Sequence, residues 1–149
     1  MNWEIIKDNY PLAFKEMCGW IQKGVNASID IFEFASYDDK TTHSLCWTDE
    51  NGGLDLSCDD PFVDFRDRQL FDFFDDNNLQ VHICPTYHQK GISWNWAVYE
   101  HSTFAPDCIG DLSTELYGYI GKYKTRTMAE ESAFMEAFLL LEFKLDTNE

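Results

Sequence analysis

The stretch that most constrains this chain is Tyr117–Leu145, because its hydrophobic period changes partway along. Tyr117, Tyr119, Gly121 and Tyr123 alternate with Gly118, Ile120, Lys122 and Lys124, the period of a strand. Thr127-Met-Ala-Glu130 then has the form of a capping box, in which a Thr hydroxyl and a Glu carboxylate satisfy the first amides of a helix. Beyond it, Ala133, Phe134, Ala137, Phe138, Leu141 and Leu145 recur at helical spacing. Leu139, Leu140 and Phe143 widen that face, so the helix is expected to be covered on most sides.

The preceding chain supplies the cover. Residues 3–23 read as helical, with a new start at Pro11 after Asn9-Tyr10 and a stop at Gly24. Ala13, Phe14, Met17, Trp20 and Ile21 form one face. Ser28–Ala35, His43–Thr48 and Leu54–Cys58 read as a meander, with turns at Tyr37–Lys40 and at Asn51-Gly52, a hairpin dipeptide. Asp60-Pro61 reads as the N-cap and first residue of a helix whose face is Phe62, Phe65, Gln69, Leu70, Phe73 and Phe74. Leu79–Cys84 reads as a half-buried strand, Pro85–Gly91 as a connection, and Ile92–Glu100 as a strand with Ile92, Trp94, Trp96 and Val98 on one face. Residues 101–112, with Pro106 and Gly110, read as a loop.

The resulting order, α-β-β-β-α-β-β-β-α, groups strands in runs joined by short turns. It predicts an α+β fold, a mostly antiparallel sheet with helices packed on it, over residues 1–149 as a single domain. A chain of that length buries roughly 68–70% of its unfolded surface without staples. Its 12 Phe, 7 Tyr and 5 Trp argue against disorder despite the charge.

That charge is −16, from 27 acids against 11 bases. Nucleic-acid backbones and anionic membranes both need Lys and Arg, so direct contact with either is disfavoured. The five cysteines are odd in number and lack a Cys-x-x-Cys spacing, which predicts reduced thiols and a cytoplasmic location. The N-terminal residues lack the pattern of a signal peptide, and no run approaches the ~18 apolar residues of a membrane span.

The distinctive charge feature is an acidic band. Asp49, Glu50, Asp55, Asp59, Asp60, Asp64, Asp67, Asp72, Asp75 and Asp76 face only Arg66 and Arg68, a net −8 and half the chain's total. The ordinary reading of such a band is a solvated helix face plus N-terminal acids favoured by the helix dipole. The functional reading is a docking surface for a basic protein, or a row imitating nucleic-acid phosphates that blocks a DNA-binding protein.

His82, Cys84 and His88 are the closest His/Cys group and the candidates for zinc or hydrolytic chemistry. The paired spacings of structural zinc sites are missing, so a strand face is the ordinary reading. Asp49-x-Asn51-x-Gly53-x-Asp55 resembles an acidic calcium loop, but Leu54 stands where that loop needs Gly. Cys58 lies beside Asp59 and Asp60, the wrong field for a nucleophilic thiolate. No Gly-x-Ser-x-Gly, Walker or His-Glu-x-x-His motif occurs. Lys122, Lys124 and Arg126 read as charge balance, and Trp94 with Trp96 as core.

Three signatures carry a resemblance: Asn9-Tyr-Pro-Leu-Ala-Phe14 with Trp20; Leu70-Phe-Asp-Phe-Phe-Asp75 before Leu79–Ile83; and Thr125-Arg-Thr-Met-Ala-Glu-Glu-Ser-Ala-Phe134 leading to Leu141-Glu142. Together they resemble a group of small uncharacterised proteins from phage and mobile elements of gut-type bacteria. The resemblance implies no activity and no site residue. The expectation is a non-enzymatic protein–protein interaction domain without a cofactor, with the acidic mimic and the zinc or hydrolytic protein as alternatives. The partner and the oligomeric state are left open.

Overall fold

A computed structural model describes residues 1–22, 28–35, 41–48, 51, 62–63, 67–100, 107–110 and 122–148. Its elements run α1 (Trp3–Asn9), α2 (Pro11–Ile21), β1 (Ser28–Ala35), β2 (Thr41–Thr48), β3 (Phe62–Val63), α3 (Asp67–Asp76), β4 (Leu79–His88), β5 (Gly91–Glu100), β6 (Asp107–Gly110) and α4 (Arg126–Thr147). The class is α+β with antiparallel pairing throughout the described strands. The strands form two three-stranded sheets, β1-β2-β3 and β4-β5-β6, where one sheet was expected. Contacts gather into two compact units, Met1–Arg66 and Asp67–Glu149.

In the first unit the N-terminal helical stretch divides at Tyr10, whose ψ of 62° leaves the helical region. Pro11 then starts α2 from the position where its missing N–H costs nothing. Asn2 caps α1 by accepting from the Ile5 amide. α2 ends at Ile21 with Gln22 as its C-cap; Gly24, the expected stop, lies outside the described residues. β1 pairs with β2 from Ser28↔Thr48 to Ala35↔Thr41. β2 is the central strand, and Leu45, Cys46, Trp47 and Thr48 are buried in succession, so both its faces are covered there. Trp3, Ile6, Ala13, Phe14, Met17 and Ile29 complete this core.

β3 corrects the sequence reading. Phe62 and Val63 were expected inside a helix opening at Asp60-Pro61, but they pair with Cys46 and Leu45 of β2. The helix begins at Asp67 instead. The expected strand Leu54–Cys58 and the turn at Tyr37–Lys40 lie outside the described residues.

In the second unit, α3 buries Leu70, Phe73 and Phe74, while Gln69, expected on that face, is exposed and Phe71 is half-buried. The Phe74 ring lies 5.0 Å from Phe138 and 6.1 Å from Phe134, and Phe71 meets Phe134 edge-on at 5.0 Å. α3 stops at Asn78, whose φ of 61° is the left-handed conformation that Asn tolerates. The Asn77 side chain donates to the Phe73 carbonyl at 2.9 Å, satisfying a terminal acceptor.

β4 runs to His88, past the expected break at Pro85. As an edge strand it tolerates a residue without an N–H. Gly91, with φ of 133°, closes the turn into β5. β6 (Asp107–Gly110) pairs with the end of β5 within a stretch expected to be loop. Of the expected strand Tyr117–Lys124, residues 117–121 lie outside the described residues. Tyr123 forms a two-way backbone bridge with Trp94 at 2.8 and 2.9 Å, extending the β5 edge beyond β6.

α4 buries Ala133, Phe134, Ala137, Phe138 and Leu141, as its spacing predicts, and Ala129 besides, whereas Leu145 is only half-buried. Its cap is Thr125, extended at φ −129° and ψ 153°, with the hydroxyl accepting from Met128 N. Thr127, the expected cap, sits inside the first turn, so the capping box does not form. Glu130 instead accepts from Arg126 Nε at 2.6 Å. Nor is α4 covered on most sides: Leu139 and Phe143 are exposed, Phe143 by 67%. Thr125→Ala is expected to lower stability by about 1 kcal/mol in urea unfolding, with Thr127→Ala changing it by less than half as much. Equal losses would mean that Thr125 is not the cap.

Candidate functional site

The acidic band is largely beyond description. Asp49, Glu50, Asp55, Asp59, Asp60 and Asp64 lie outside the described residues, as does the Asp67 side chain. Asp72, Asp75 and Asp76 are exposed on α3. Since α3 starts at Asp67, these acids occupy its second half, where the carbonyl end of the dipole disfavours negative charge. The dipole therefore does not account for these three, and their exposure fits a solvated helix face.

His82 and Cys84 share one face of β4, opposite Ala97 and Asn95 of β5. His82 is exposed and stands edge-on to Tyr99 at 4.9 Å, with Nε2 3.4 Å from Gln80 Oε1. The His88 side chain lies outside the described residues, and no group of three His, Cys, Asp or Glu that could hold a metal occurs among those described. The opposite sheet face, bearing Leu79, Val81, Ile83, Trp96 and Val98, meets α4. There Trp96 Nε1 donates to Tyr123 Oη at 3.2 Å, and Tyr123 Oη lies 2.8 Å from Ser132 Oγ. Asn95, buried on the other face, accepts from Lys122 N at 2.9 Å. These bonds satisfy buried polar groups and mark Trp96 as core.

Cys18, Cys46 and Cys84 are free thiols. Burial pushes the Cys18 thiol up from 9.0 to about 11; Asp30 adds to the rise and Lys7 offsets part of it. Lys7 Nζ and Asp30 Oδ1 pair at 3.3 Å. Burial also raises Cys46. Neither thiol is poised as a nucleophile near neutral pH.

The site that sequence reasoning did not single out is on α4. Met128, Met135, Leu139 and Phe143 fall within about 80° of helical arc, opposite the buried face. Met128 is 50% exposed, Leu139 37% and Phe143 67%, with Met135 half-buried. Beside this stripe Leu79, Glu100, Leu140, Phe143, Lys144 and Thr147 line an open groove of about 220 Å³. Lys144 Nζ bonds Glu100 Oε1 at 2.7 Å across it. The signal is present in the sequence as a second apolar set at i, i+7, i+11 and i+15, of which only Leu139 and Phe143 enter the broad face read above.

No helix among the described residues is long and apolar enough to cross a membrane. The chain matches no family model, no curated protein and no solved structure.

The raised thiols set a pH dependence. Folded Cys18 holds its proton up to about 11, whereas an unfolded thiol releases it near 9.0, so the folded state binds more protons between those values. Stability is expected to be full below pH 9 and to fall as pH rises toward 11, and Cys18→Ala should flatten that decline in urea titrations at stepped pH. An undiminished decline in the variant would show that Cys18 is not its source.

Proposed function

We propose that this chain is a non-enzymatic interaction domain that binds another protein in a reducing, cytoplasmic setting. The observation that carries this reading is the apolar stripe and groove on the outer side of α4. Exposed aromatic and aliphatic side chains beside a concave apolar surface are what buried interface anchors require. The free thiols Cys18, Cys46 and Cys84 support the reducing setting.

Affinity purification of the full chain from its native source, followed by mass spectrometry, tests the reading. A partner is expected to be retained by the wild-type chain and lost at least tenfold from a Leu139→Ala/Phe143→Ala variant, which keeps the net charge and two good helix formers. Identical protein sets on both chains would refute contact through α4.

A further inference from the structure

Resting on that reading, we infer that the outer face of α4 receives a basic amphipathic helix from a different protein. Its apolar residues occupy the Leu139/Phe143 stripe and groove, and its Lys or Arg side chains meet the flanking acids. Over its length, Arg126–Thr147, the helix carries five acids and two bases; Arg126 bonds Glu130 and Lys144 bonds Glu100. By helical geometry Glu131 and Glu142 border one side of the stripe and Glu136 the other, with Asp146 at its end. Glu131 and Asp146 are exposed, and Glu136 and Glu142 are half-buried. The apolar side chains thus lie between acidic borders, on a chain of net charge −16.

This arrangement selects among occupants. A second copy would place the same acids against one another and bring two strongly negative chains together, a like-charge penalty at the contact. An apolar partner without charge would gain nothing from the acidic borders. A basic segment with apolar residues at helical spacing matches both features, because helix-in-groove recognition reads anchors at i, i+3, i+4 and i+7. The acids also attract such a partner over about a Debye length, which speeds encounter and makes it sensitive to salt.

The test uses the full-length chain and three labelled synthetic peptides of about 18 residues, long enough to form a helix on binding. One has Leu at the anchor positions and Lys elsewhere, the second replaces its Leu by Ala, and the third replaces its Lys by Glu. Fluorescence anisotropy is expected to show the Leu/Lys peptide binding at least tenfold tighter than either of the others, and more weakly as salt rises. Leu139→Ala/Phe143→Ala should weaken it at least tenfold, and Phe143→Leu should retain most of the affinity. Circular dichroism confirms that each variant is folded.

Unchanged affinity in the double variant would overturn the inference, because the attraction would then be charge alone acting elsewhere. Equal binding of the Leu/Glu peptide, lost in the double variant, would overturn the basic partner and leave protein contact through α4 standing. A wild-type dimer that the double variant dissociates would also overturn it, making a second copy the occupant. No binding by any peptide would overturn it too, while the capture experiment decides the broader reading separately.

Discussion

The second unit depends on a phenylalanine cluster. Phe73 and Phe74 of α3 interlock with Phe134 and Phe138 of α4, with ring centroids 5.0 to 6.3 Å apart. Each fully buried ring contributes about 1.5–3 kcal/mol by leaving water, and each well-disposed ring pair about 0.5–1.5 kcal/mol more. All four rings are fully buried. The cluster fixes the roll of α4 about its own axis, and that roll decides everything on the other side. With 3.6 residues per turn, Phe143 points about 140° away from Phe138. The sequence holding Phe138 in the core therefore turns Phe143 outward.

The charges contribute little to holding this frame. Lys7–Asp30 and Lys144–Glu100 are partly exposed pairs, the kind worth at most about 1 kcal/mol. Arg126–Glu130 differs, because the Glu130 side chain is buried and its carboxylate takes a 2.6 Å bond from the preceding turn. Asp75 and Asp76 stand at the negative end of α3, where the backbone field opposes them. The described core is thus mostly apolar, and among the described side chains every acid except Glu130 is exposed or half-buried.

Much of the fold was legible because local signals and packing agree. β1, α2 and the buried face of α4 follow directly from period, Pro11 and the Ala/Phe spacing. The departures occur where two local signals competed. Thr125 and Thr127 are both capping residues, and the backbone leaves the extended region after the first. Asp60-Pro61 has the chemistry of a helix start, but Phe62 and Val63 gain ladder bonds on β2, a long-range pairing that no local window contains. Pro85 breaks a strand only if the strand is interior, and edge position is a property of the whole sheet. The α4 surface was missed for a related reason. Apolar residues at helical spacing say that a side of the helix is apolar, but not which partner, internal or external, covers it.

A helix apolar on two opposite sides is costly to leave half-covered, and the cost shapes what the rest of the chain can do. The inner side of α4 is satisfied by the cluster and by the Leu79–Val98 sheet face. On the outer side, Glu131, Glu136, Glu142 and Asp146 stand among or beside Met128, Met135, Leu139 and Phe143. Charges interleaved with apolar side chains keep such a stripe in solution, because like-charged copies repel before their apolar surfaces meet. On the proposed reading, the same interleaving favours a basic partner over an apolar or acidic one, because cations offset the cost of desolvating carboxylates at a contact. The acidic borders on both sides of the stripe thus serve the proposed reading with residues that the core has already turned outward.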